Sequence, residues 1–145
     1  MLIRRLLLLL GLLLAQPAQA GEADLLRAVN AERANHGLAL LQADAQLRQA
    51  AQAHADDLPL CGRLSHDGCD DSDLRQRLRR ASYAFAQAAE NIALGTPDAA
   101  ATLAAWLNSP GHRANLLRPD LREAGLGLGQ LNGQILWVLV LGRRI

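Results

Sequence analysis

The stretch that most restricts the fold lies near the end of the chain. Gly125-Leu126-Gly127-Leu128 alternates small and large residues, Asn132-Gly133 follows, and Ile135 to Leu141 is an unbroken apolar run. Alternation has the two-residue period of a strand, and Asn-Gly between two such runs supplies the positive φ angles of a tight hairpin turn. The pattern therefore predicts an antiparallel hairpin. Its glycines leave room for a helix or another backbone to approach one face of the sheet.

Upstream the period becomes helical. From Asp24 to His36, Leu25, Leu26 and Val29 share a face, and Gly37 supplies the stop. Asp44 is placed to cap a second helix ending near Leu58, in which Leu47, Ala51, His54 and Leu58 recur at helical spacing. Ser72 or Asp73 opens a third, with Leu74, Leu78 and Ala81 inward and Arg75, Arg77, Arg79 and Arg80 forming a solvated face. In Thr96-Pro97-Asp98, threonine can cap, proline fits the first helical position and aspartate suits the positive end. That helix carries Leu103, Trp106 and Leu107, and Ser109-Pro110 repeats the grammar to open a short helix through Leu117. Aromatic residues are few, so the core must be mainly leucine and alanine, with Trp106 and Trp137 as core pieces. The expected class is α+β: helices packed on a small antiparallel sheet.

The start of the chain reads as an export signal. Arg4 and Arg5 precede a leucine run interrupted by Gly11, and Ala18-Gln19-Ala20 gives a small-x-small end. Residues 1–20 are thus expected to be a signal peptide and residues 21–145 one domain, exported to a periplasm or secreted. The run is shorter than the ~20 apolar residues a bilayer span requires, so no transmembrane segment is expected in the mature form. All 15 basic residues are arginine, and the leader would remove two of them, leaving thirteen against 14 acids. A nearly neutral domain gives no electrostatic reason to expect nucleic acid or an anionic membrane as partner.

In an exported chain, Cys61 and Cys69 read as one local disulfide. Two thiolate ligands of a structural zinc would show the closer spacing of known zinc sites. The enclosed loop, Gly62-Arg63-Leu64-Ser65-His66-Asp67-Gly68, holds a histidine. Of the other histidines, His36 suits the negative end of its helix, and His54 reads as a satisfied core residue. His112 falls in the first turn of its short helix, where the positive dipole end favours a neutral ring with a free lone pair. Such a ring serves a metal or a reaction needing a base. Glu90 lies between apolar stretches and, being partly buried, needs a partner.

Leu64-Ser65-His66, Glu90-Asn91-Ile92-Ala93 with Gly95, Trp106 followed by Ser109-Pro110-Gly111-His112-Arg113-Ala114-Asn115-Leu116-Leu117, and Gly125-Leu126-Gly127 together resemble the CAP superfamily. It comprises the cysteine-rich secretory, antigen 5 and pathogenesis-related proteins, and the likeness is to its short bacterial single-domain members. Asn30, Arg33 and Arg77-Leu78 ahead of Tyr83 also fit. The resemblance implies a three-layer α-β-α sandwich with a cleft lined by His66, His112 and Glu90, the histidines able to bind zinc or another divalent ion. Asn91, Ser109, Arg113 and Asn115 fall at cleft or motif positions. Ser109 stands where animal-type clefts carry a second acid, and Ala89 replaces a usual glycine.

Two imidazoles alone make a weak zinc site, so water must fill the other positions, and Glu90 would hydrogen-bond that water or orient a histidine. The expected function is a binding domain whose cleft takes a metal and a small ligand (lipid, glycan or peptide) or a protein. The alternatives are a metal-dependent hydrolase of an envelope or extracellular polymer with Glu90 as general base, and a metal-free hydrogen-bonded scaffold.

Overall fold

The computed structural model describes residues 17–145. The expected leader lies mostly outside them. Along the chain come α1 (Pro17–Asn35), β1 (Gln42–Ala43), α2 (Ala45–Cys61), α3 (Leu74–Arg80), β2 (Phe85–Leu94), α4 (Ala99–Leu107), α5 (Pro110–Leu116), β3 (Glu123–Leu131) and β4 (Gln134–Arg144). The four strands lie in the order β1-β3-β4-β2.

The hairpin is the predicted one: β3 and β4 pair antiparallel from Glu123↔Gly142 to Leu131↔Gln134, around a turn in which Asn132 and Gly133 both have positive φ. Its glycine face receives α2. A Cβ at Gly125 would stand 2.0 Å from Arg48 N, one at Gly127 2.5 Å from the Ala51 carbonyl, and one at Gly129 2.6 Å from Ala55 O. Successive turns of α2 thus rest on β3 backbone to backbone. Asp44 starts that helix, its carboxylate accepting from Gln46 N and Leu47 N at 2.9 Å.

The two faces of the sheet carry separate cores. On one, α1, α4 and α5 pack Leu25, Val29, Trp106 and Leu116 against Ala89, Leu126, Leu139 and Leu141. On the other, α2 and α3 pack Leu47, Ala51, Leu58 and Leu78 against Ile92, Val138 and Val140. Three layers result, as expected. Trp106 and Trp137 are both core residues.

Several expectations are corrected. The sheet is mixed rather than wholly antiparallel, because the two-residue β1 pairs parallel with β3. Helix α1 begins at Pro17 rather than Asp24. Helix α4 is capped by Asp98, which accepts from Ala101 N at 2.8 Å, while the Thr96 hydroxyl pairs with that of Thr102 instead. Ser109 occupies the cap position of α5 without a side-chain cap bond. The segment around Glu90, to which the sequence assigns no element, is a full strand, β2, paired antiparallel with β4. Alanine-rich Phe85–Leu94 has little strand propensity of its own; the open edge of the apolar β4 imposes the conformation.

Candidate functional site

Strand alternation splits two neighbouring residues of β2 between the sheet faces. Glu90, opposite Val140, faces α2 and α3; Asn91, opposite Leu139, faces α5. The Glu90 side chain is 3% exposed, yet fully engaged. Its Oε2 accepts from Arg77 Nη1 at 2.6 Å, and its Oε1 accepts from Arg77 Nη2 at 3.2 Å and from His66 Nδ1 at 2.9 Å. Arg77 Nη2 also donates to the His66 carbonyl at 2.6 Å. One guanidinium therefore fixes both the carboxylate and the backbone of the histidine that the carboxylate orients.

The loop carrying His66 is tied at both ends. Cys61 and Cys69 form the expected disulfide, and Cys69 N donates to Asp57 Oδ2 at 2.7 Å. From α2, His54 Nε2 donates to the loop's Ser65 carbonyl at 2.8 Å. A carbonyl only accepts, so the His54 proton sits on Nε2. His54 is wholly buried and its Nε2 lies 3.9 Å from Glu90 Oε1. Among the described residues, His54 Nδ1 and Arg77 Nε are the buried side-chain atoms without a hydrogen-bond partner. Both residues lie against Glu90.

These contacts set the protonation states. The hydrogen bond to Glu90 holds His66 above the ordinary imidazole value, against the pull of burial. Burial alone would raise Glu90, but the bonds from His66 and Arg77 prevail and leave it below the usual carboxylate range. Burial pushes His54 down despite the nearby Glu90. His112 is lowered by burial and then by the charge of His66. That is the direction its helix-terminal position predicts, reached through other causes.

On the other face, the Asn91 amide donates to the His112 carbonyl at 3.0 Å and accepts from Asn115 Nδ2 at 2.9 Å. Asn115 reaches the Glu90 carbonyl at 3.4 Å. The two asparagines thus bind α5, and His112 with it, to the strand that carries Glu90. Arg113 turns away: its Nη2 donates to His36 Nε2 at 3.3 Å. His66 thus stands on the tied loop against one face of β2, and His112 on α5 against the other.

Arg77 and His54 belong to this site, although sequence periodicity alone puts one on a solvated face and the other in the core. Arg77 is 6% exposed. Its spacing carries the missing signal: it follows Leu74 by three positions and precedes Ala81 by four, on the inward stripe of α3. Arg33, wholly buried, plays a comparable part in the scaffold, donating to the Ala39, Leu116, Arg118 and Leu121 carbonyls.

Among the described residues, no group of three or more histidine, cysteine, aspartate or glutamate side chains is assembled for a metal ion. Any metal in the cleft would rest on His66 and His112, with water completing its coordination. The donor types suit zinc, because the carboxylate on Nδ1 leaves His66 Nε2 as the coordinating nitrogen.

A three-layer sandwich whose edge strand holds one histidine through a buried glutamate and a second through the neighbouring asparagine defines a recognisable class. The chain belongs to the cysteine-rich secretory protein family, CAP, which matches residues 26–141. It is 36% identical over 107 residues to the uncharacterized membrane protein YlbC of Bacillus subtilis (strain 168), covering 74% of this chain and 31% of that one. A crystal structure of an extracellular protein containing a SCP domain from Bacillus anthracis str. Ames is similar at 33% identity and TM-score 0.79, over 89% of this chain and 42% of that one. An outer surface protein from Borrelia burgdorferi shares the fold at 24% identity and TM-score 0.77, over 83% and 90% of the two chains. The chain thus spans less than half the length of YlbC and of the Bacillus anthracis protein.

Proposed function

We propose that this CAP domain is exported and uses His66 and His112 to hold a divalent metal such as zinc, presenting it to a small ligand (lipid, glycan or peptide) or to a partner protein. The observation that carries the reading is the 2.9 Å bond from His66 Nδ1 to Glu90 Oε1, which leaves Nε2 free for a ligand. Export is supported by the leader-like start, by the disulfide, and by the likeness to the extracellular Bacillus anthracis protein. Among the described residues, no helix is long and apolar enough to cross a membrane.

In this reading Glu90 orients His66. The alternative, Glu90 as general base of a metal-dependent hydrolase, has less support because Arg77 and His66 occupy both its oxygens. Calorimetric zinc titration of residues 21–145, disulfide intact, tests the proposal. Micromolar or tighter binding lost in both His66→Ala and His112→Ala is expected. No zinc binding, or equal binding by the variants, would overturn it.

A further inference from the structure

In the sheet order β1-β3-β4-β2, the second strand lies at an edge, with one side of its backbone unpaired by any strand. The register identifies the outward groups. Gly95 N donates to Ile135 O at 2.9 Å, and pairing continues without slip from Leu94↔Leu136 to Gln87↔Arg143. Ala93, Asn91 and Ala89 share the parity of Gly95 and bond β4, so Ile92, Glu90 and Ala88 turn N–H and C=O outward. Other contacts agree. Gly142, opposite Ala88, spends its carbonyl on Arg122 N at 3.0 Å, away from β2. The outward carbonyls of Glu90 and Ile92 are taken by Asn115 Nδ2 at 3.4 Å and Trp106 Nε1 at 3.1 Å.

Those two side chains cap the carbonyls in the middle of the edge, as native proteins do to discourage pairing. The start of the strand is left uncapped: among the described residues, Ala88 N–H and C=O have no partner. Beside it runs a groove of about 300 Å³, walled by Asp73, Leu74 and Arg75 and floored by Phe85–Ala88. Asp73 is committed to capping α3. Arg63 and Arg80 pair with Asp71 and Asp70, whereas Arg75 has no acidic partner among the described residues.

The geometry points to strand addition at this groove: an extended segment of a partner protein, with an acidic side chain facing Arg75, hydrogen-bonds to Ala88 and lengthens the sheet. Unpaired backbone groups supply the affinity in such complexes, and the uncompensated arginine selects the charge. The irregularity between Phe85 and Gln87 bends the strand and keeps the straight edge short, which suits a short segment better than a long strand of a second copy. The site is independent of the metal reading, because neither His66 nor His112 takes part.

Selection from a displayed library of random peptides of about twelve residues on the immobilised protein provides the probe. The decisive variant is Ala88→Pro: it removes an outward N–H and no ladder bond, a position where an edge strand tolerates proline. Enriched peptides should carry Asp or Glu, lose at least about tenfold in affinity on Ala88→Pro, and weaken on Arg75→Glu. In the unaltered protein, the peptide should also shift and protect the Ala88 amide in NMR, a readout that needs no variant to fold. Peptides that bind folded Ala88→Pro equally, leave the Ala88 amide unmoved, or fail to enrich would overturn the inference. So would dimerisation through this edge, which would make the occupant a second copy.

Discussion

At the scale of single residues, the site is organised around one negative charge. Glu90 is buried with Arg77, and a buried ion pair is held less by its net worth than by the penalty of breaking it. Glu90→Gln strands the Arg77 charge and should cost about 3 kcal/mol or more in urea unfolding. Replacing both partners, as Arg77→Met with Glu90→Leu, should recover much of that loss. Failure of the double variant to regain stability would argue against the buried charge as the cause. The His66 bond has its own pH signature. His66 is raised in the fold, so its contribution is full below the unfolded value of 6.5 and fades as pH rises through the folded value. Glu90 is lowered, so its share is full above the unfolded value of 4.5 and is lost as pH falls through the folded value. The stability gap between the parent and His66→Ala should therefore be widest between these limits and narrow on either side, as checked by denaturation across pH. Zinc affinity should fall on acidification through the His66 pKa, because a ligand imidazole must be neutral.

At the scale of elements, the contact of α2 with β3 sets the geometry that brings His54 and the tied loop to Glu90. A methyl group at Gly127 would meet the Ala51 carbonyl and Gln52 N at 2.5 Å, backbone atoms that cannot turn aside. Gly127→Ala should cost about 3 kcal/mol by overpacking, read from thermal or urea unfolding. Gly111 in α5 has open space around its Cβ direction and no positive φ, so Gly111→Ala should be neutral or stabilise by about 0.5 kcal/mol. The hairpin was legible because glycine alternation and Asn-Gly are local signals, and α2 because Asp44 announces its start. Strand β2 was not, since Ala-Gln-Ala-Ala becomes extended only through long-range pairing with β4. Parallel β1 was hidden for the same reason: two residues at the sheet edge have no period to read.

At the scale of the molecule, the site draws on all three layers. One layer supplies the disulfide-tied loop with His66 and the Arg77 fork; the other supplies α5 with His112; the edge of β2 joins them through Glu90 and Asn91. His66, His112 and Glu90 were legible through motif resemblance, because each lies in a short distinctive string. Arg77 and His54 are not legible as site residues, because a charge among arginines and a histidine on an apolar face look ordinary until the layers close. Glu90 fixes His66 with its proton on Nδ1 and leaves Nε2 as the free ring nitrogen. Long-range proton–nitrogen NMR of the imidazoles across pH tests it most directly. A neutral His66 in the Nδ1–H form that titrates above 6.5 is expected, with His112 titrating below it. A His66 protonated on Nε2, or titrating at or below 6.5, would contradict it.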